Sequence, residues 1–393
     1  MLAPLARALA EAPAIAIDDC ILAAARTDAW FVFNLSGGKD STASAFAANR
    51  LLDRVGHPRS RRIAINADLG RAEWDSTPAT VEAIARWLEL PLIVVRRRAG
   101  DMVARWEQRF ESGKARYEAL ESYNLIGPWS SSSLRFCTSE LKAQVIGPEL
   151  ARRFRGHTIV SVIGLRRDES ASRRATPISC DDLRFAKPGN AAGTRMIRWH
   201  PGVDWSTSDV FDAHAAHGLP LHEAYRTYGA TRLSCRFCVL ASLHDLAASS
   251  DAPANLDHYC HLVEIEARST FSFQPSRWLA DVAPKLLPDS LGHAIARAKE
   301  DAACRRHLEA AMPAGLLFVK GWPPGLPTLA EAGAIAAARA PILARHALAD
   351  RYPTATAVRD RFDALLAEKE RRQPGSPKAR ILGTAREDWR PAA

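Results

Sequence analysis

Residues 30–46, Trp-Phe-Val-Phe-Asn-Leu-Ser-Gly-Gly-Lys-Asp-Ser-Thr-Ala-Ser-Ala-Phe, constrain the fold more than any other stretch of the chain. The apolar run Trp30 to Phe33 has the length and composition of a buried parallel strand. The Ala-rich segment Thr42 to Leu52 reads as a helix. Between them lies Ser36-Gly37-Gly38-Lys39-Asp40-Ser41. Adjacent glycines allow a tight turn and let backbone N–H groups come close to a ligand. The turn feeds a helix N-terminus, where free N–H groups and the helix dipole favour an anion. Ser36 and Ser41 add hydroxyl donors and Lys39 a point charge. Asp40 beside this basic pocket points to a divalent cation, because a bare carboxylate repels phosphate.

The rest of the N-terminal part repeats the strand–helix alternation. Ile63 to Ala67 predicts a second strand closing on Asp68, a carboxylate at the edge where open α/β sheets bind ligands. Val81, Ile84, Ala85 and Leu88 form the apolar face of the helix that follows. Leu92 to Val95 and Thr158 to Ile163 predict the third and fourth strands. This spacing predicts an α/β fold with a doubly wound, mainly parallel sheet. Residues 1–29 read as helical, residues 180–195 as a loop or hairpin, and Arg198 to Phe211 as an extended arm leading to a helix. Gly164 after the fourth strand permits close approach of a ligand. Arg166 and Arg173 then follow, suited to pairing with phosphate or with Glu169. Arg96-Arg97-Arg98 reads first as a solvated run. His200, His222, Trp199 and Trp205 read as packing residues. The expected divisions are 1–245, a nucleotide-binding catalytic domain; 246–327, a helical extension; and 328–393, an Ala- and Arg-rich helical region ending in a basic tail.

The formal charge of +9 favours polyanionic partners, although a general basic bias gives the same balance. No apolar run is long enough to span a membrane and no secretory signal is visible, so the expected location is the cytoplasm without membrane association. The seven cysteines do not form a disulfide-framework pattern in a chain of this length. Cys137, Cys235 and Cys238 read as ligands of an iron–sulfur cluster, as a zinc site, or, for Cys235-x-x-Cys238, as a redox or sulfur-carrying pair. Cys260 is an uncertain fourth ligand.

Ser36 to Ser41 is not a Walker A loop. It resembles the PP-loop of ATP pyrophosphatases, Ser-Gly-Gly-x-Asp-Ser. With Ala67-Asp68, Arg135-Phe136-Cys137-Thr138 and Lys142, Gly164 to Arg173, His200-Pro201, Asp204-Trp205 and Cys235-x-x-Cys238, the chain is similar to the phosphoadenosine phosphosulfate (PAPS) reductase-like branch of that superfamily. Glu264-Ile265-Glu266 and Phe271-Ser272-Phe273 also resemble the segment after the cysteine pair in many members. The intact loop and the lack of a C-terminal catalytic cysteine depart from true PAPS reductases. Phe136 departs from the paired cysteines of adenylyl-sulfate reductases. The Cys-x-x-Cys departs from the ATP sulfurylase small subunit. The motif set is most similar to that of the ATP pyrophosphatases of DNA phosphorothioation systems.

The resemblance implies an enzyme that splits ATP between its α- and β-phosphates and adenylylates a substrate for sulfur transfer. ATP would lie on Ser36, Gly37, Gly38, Lys39, Asp40, Ser41, Asp68 and Gly164, with Mg²⁺ near Asp40. Lys39, Asp40, Arg166 and Arg173 would be catalytic, and Cys137, Cys235 and Cys238 would hold a [4Fe-4S] cluster, zinc being the alternative. Implied partners are nucleic acid, DNA before RNA, with the 328–390 segment contributing contacts, and sulfur-donating and other modification proteins. The rival expectations are sulfate assimilation, by PAPS reduction or sulfate adenylylation, and a non-catalytic nucleotide-binding subunit.

Overall fold

The structure is a computed structural model that describes residues 14–372. The helical expectation for residues 1–13 and the tail from 373 onward lie outside the described residues. Helix α1, Asp19–Ala25, begins at Asp18, whose carboxylate accepts the Ile21 N–H, and it leads to β1, Trp30–Asn34. Then follow α2, Lys39–Arg54, β2, Arg62–Asp68, α3, Thr77–Trp87, and β3, Leu92–Arg96. Helix α4, Met102–Glu118, precedes a stretch without regular structure that reaches Arg135. A π-helical turn, Ser139–Ala143, leads into α5, Gln144–Arg153. Strand β4, Thr158–Val162, is followed by the short β5, Ser179–Asp181, and by β6, Arg195–Trp199.

The six strands form one sheet in the order β3-β2-β1-β4-β6-β5, parallel except for β5 against β6. Side chains alternate across it. Phe31, Phe33, Ala64, Val160, Val162, Ile197 and Trp199 face α1, α2, α3 and the later α6, Thr207–His217. Val32, Ile63, Ile65, Ile159 and Met196 face Leu150 and Phe154 on the opposite side. Both faces are covered, which is the doubly wound arrangement expected of strands this uniformly apolar. The chain reverses its strand order between β1 and β4, and there the loop after β1 opens at the ligand edge.

The arm expected from Arg198 is in part strand. Arg195 to Trp199 pairs in parallel with β4, burying Met196, Ile197 and Trp199. Its arginines broke the apolar signal. Trp199 and Trp205 are packing residues whose indole N–H groups donate to the Ala16 and Ala14 carbonyls.

Contacts divide the chain into two interleaved units. The first holds described residues up to 107, with 129–268 and 272–295. It contains α7, Glu223–Arg226, α8, Leu243–Ser250, and most of α9, Leu256–Ser269. The second holds 108–128, 269–271 and described residues from 296. Within it, Ala332, Ile335 and Ala336 of α11, Leu329–Arg345, share a core with Val358 and Phe362 of α12, Ala355–Arg372. Helix α10, Asp289–Ala311, contains the boundary residue Ala296.

Candidate active site

The loop after β1 has the expected strand–turn–helix form. Gly37 adopts φ +74°, where a Cβ is strained, and Gly38 is the N-cap of α2. The Ser36 and Ser41 hydroxyls lie 3.0 Å apart, and Ser41 donates back to the Gly38 carbonyl at 2.9 Å. The first-turn N–H groups of α2 have no intrahelical acceptor. Of these, the Lys39 N–H meets the Tyr225 hydroxyl at 3.3 Å.

The charged residues of the loop are paired with protein groups. The Lys39 side chain is 4% exposed; its Nζ lies 3.1 Å from Asp40 Oδ2 and donates to the Thr231 carbonyl at 3.2 Å. The Phe211 and Tyr225 rings flank the same ammonium, with centroids at 5.7 and 5.5 Å. Arg166, also 4% exposed, donates to Asp40 Oδ1 at 2.5 Å, to Asp168 at 3.1 Å, to the Trp205 carbonyl and to Thr207. Arg173 pairs with Glu169. Lys39 is a buried, multiply bonded side chain. Of the pairings expected for Arg166 and Arg173, with phosphate or with Glu169, Arg173 makes the one with Glu169, and Arg166 pairs with Asp40 and Asp168. Asp40 has a cation on each oxygen, so no unpaired carboxylate stands there to hold Mg²⁺.

Gly164 makes a close approach, but to protein. A Cβ there would lie 2.5 Å from the Ser41 Cα and 2.6 Å from the Asp40 carbonyl carbon. The missing side chain lets β4 press against the start of α2. His214 of α6 supports the same turn from below. Its Nε2 donates to the Lys39 carbonyl at 2.9 Å, and burial holds its pKa below the usual value.

Asp68 ends β2 at the expected edge. It accepts the Gly70 N–H at 2.6 Å and pairs with Arg96. These residues line a cleft of about 690 Å³ with Arg71, Glu73, Arg97, Arg98, Asp101 and Arg236. The arginine run read as solvated thus belongs to a concave surface. Glu73 carries no motif signal. Burial raises its carboxyl to about 7, opposed by the Lys142 charge.

Beyond Glu73 lie the thiols. Arg236 donates to the Glu73 carbonyl and to Asp75, and its own N–H bonds Ala72, which docks Cys235-x-x-Cys238 on the turn after β2. Burial raises the Cys235 thiol first, with Cys238 and Cys137 adding repulsion, and Cys238 likewise feels Cys137. Cys137 therefore lies close enough to the Cys235–Cys238 pair for its charge to act on both thiols. All seven cysteines are free. Cys260 stands apart; Glu264 and Asp257 of its own helix act on it. Among the described residues no group of three or more His, Cys, Asp or Glu side chains is gathered to hold a metal ion.

His222 shows why proximity alone does not make chemistry. It is fully buried, with Nε2 at 3.1 Å from the Ser76 hydroxyl, which also donates to Glu223 at 2.5 Å. Its Nδ1 already accepts the Ala224 N–H at 3.0 Å, so Nε2 carries the proton. Burial lowers its pKa to about 4. A ring that stays neutral with its free lone pair occupied cannot take a proton from Ser76; it caps α7.

An open, mainly parallel α/β sheet with an anion-accepting loop at its strand-order reversal defines a nucleotide-binding protein class. Residues 31–241 match the phosphoadenosine phosphosulfate reductase domain family. The match covers more than half of the 393 residues, and the chain belongs to this family. Its chemistry is accordingly that of adenine nucleotides and sulfur. None of the curated proteins matches. Among the described residues no helix is long and apolar enough to cross a membrane.

Proposed function

We propose that this protein is an ATP pyrophosphatase-type enzyme that adenylylates an acceptor for sulfur transfer, the acceptor being a nucleic-acid backbone as in DNA phosphorothioation. The observation that carries this reading is the intact Ser36-to-Ser41 loop at the N-terminus of α2, at the strand reversal of a PAPS reductase-family sheet. An acceptor oxygen attacks the α-phosphorus of ATP, the bond to the bridging oxygen of the β-phosphate breaks, and pyrophosphate leaves. A sulfur nucleophile supplied by a partner protein then displaces AMP. Ser36, which is exposed, and the N–H groups at the start of α2 stabilise charge on the phosphates. The catalytic domain of this reading is residues 1–245, with Asp68 at the nucleotide edge, and the expected location is the cytoplasm.

The thiols of Cys137, Cys235 and Cys238 hold a [4Fe-4S] cluster in this reading. A cluster separates its thiolates more widely than one ion does, and neighbouring thiolates repel unless a cation neutralises them. The family match equally accommodates reduction of PAPS. Mass spectrometry of nucleic acid from cells with and without the protein tests the proposal. Phosphorothioate-linked nucleotides that vanish with the protein support it. Unmodified nucleic acid in both, together with sulfite formed from PAPS by the purified protein, supports reduction.

A further inference from the structure

The segment from His222 to Leu233 covers the phosphate loop. A Cβ on Gly37 would lie 3.4 Å from the Leu233 side chain, and one on Gly38 would lie 3.6 Å from the Tyr225 hydroxyl. That hydroxyl accepts two backbone N–H groups, from Lys39 at 3.3 Å and from Leu233 at 2.8 Å. With both lone pairs occupied, its own proton goes to no acceptor among the described residues. Two residues earlier than Leu233, the Thr231 carbonyl receives the Lys39 ammonium. Arg232 lies between these two contacts, so its backbone is held against the loop on both sides. It is exposed and has no carboxylate partner among the described residues.

The segment is firmly placed. Asp245, itself buried, takes the Thr231 N–H at 2.7 Å and the Thr231 and Ser242 hydroxyls. His222 fixes the other end on Ser76 and Thr77. The Arg232 charge is felt at both the Tyr225 hydroxyl and the Cys238 thiol. The carboxylates nearest the loop are committed elsewhere: Asp40 to Lys39 and Arg166, and Asp245 to Thr231 and Ser242. Lys39, Arg166 and Arg173 are all paired, so the open positive charge at this site is on the covering segment and not in the motif.

We infer that Tyr225 and Arg232 form the second wall of the phosphate site, Tyr225 donating its hydroxyl proton and Arg232 its guanidinium N–H groups to the pyrophosphate portion of a bound nucleotide. This rests on the nucleotide reading above. The loop then supplies backbone N–H groups from one side, and the covering segment supplies the cation that the motif's own lysine does not.

The test is calorimetric titration of the full-length protein with inorganic pyrophosphate and with ATP, alongside thermal unfolding. Arg232→Ala should weaken pyrophosphate and ATP binding about tenfold or more, as expected for a lost charge-assisted hydrogen bond. Arg232→Lys should recover part of the loss, and the unfolding midpoint should not move. Tyr225→Phe should weaken both ligands by a smaller factor. Pyrophosphate affinity unchanged in Arg232→Ala, with Ser36→Ala weakened, overturns this inference and leaves the nucleotide reading standing. Failure of the wild-type protein to bind either probe overturns both.

Discussion

The loop after β1 and the cleft beyond β2 and β3 sit on the same sheet edge and are built in opposite ways. In the loop every charged motif side chain is paired: Lys39 with Asp40, Asp40 with Arg166, Arg166 with Asp168. In the cleft, Arg96 and Arg71 pair with Asp68 and Asp101 through mostly exposed side chains. Arg98 has no partner among the described residues. The loop's charges fix its shape, and on the proposal above anions are held there by backbone N–H groups and by Arg232. The cleft's arginine side chains face solvent. The same residue types are therefore enclosed in one place and open to solvent in the other.

Mutations should separate the two regions. The largest effect is expected for Asp40→Ala, which leaves the buried Arg166 guanidinium without its main partner. A loss of about 3–5 kcal/mol is expected, measured by urea unfolding. A variant as stable as wild type would show that the loop is not held by its charges. Gly164→Ala comes next, since its methyl group would collide with the backbone at Ser41. It should cost about 1–3 kcal/mol and lower ATP affinity together with stability.

Glu73, on the cleft side, should show itself through pH. Its carboxyl is raised from 4.5 to about 7 by burial, so the folded protein holds the proton more tightly than the unfolded chain. That contribution is complete below about pH 4.5 and is lost as pH rises through 7. Glu73→Gln should match wild type near the lower limit and exceed its stability by roughly 1–3 kcal/mol at about pH 8. Parallel pH profiles for the two proteins would show that the Glu73 carboxyl is not raised in the folded state. The smallest stability effect belongs to Arg98→Ala, within about 0.5 kcal/mol. If the cleft carries a nucleic-acid backbone, this variant should still bind DNA more weakly and with a salt slope reduced by about one. An unchanged slope would place nucleic acid elsewhere.

The sheet was legible because its strands are apolar on both faces and its helices carry 3.6-residue stripes, so periodicity and composition agree. Strand β6 was missed because Arg195 and Arg198 interrupt three buried residues. The phosphate loop was legible because a positive-φ glycine before a helix N-terminus has few substitutes. The pairing of its charges was not, since Arg166 reaches Asp40 across a separation of 126 residues. The meeting of Cys137 with Cys235 and Cys238 was an expectation from resemblance; Cys137 acts electrostatically on both thiols of the pair, but among the described residues the three are not gathered as a metal site. Tyr225, Arg232 and Glu73 gave no local signal. Each acquires its place from a tertiary contact that no spacing encodes.

The central claim is cleavage of ATP at its α-phosphate. ATP labelled at the α- and γ-phosphates, incubated with the full-length protein, DNA and a sulfide donor, identifies the broken bond by chromatography. Equal release of labelled AMP and pyrophosphate, lost in Ser36→Ala, is the predicted result. Intact ATP, or ADP with orthophosphate, would contradict it.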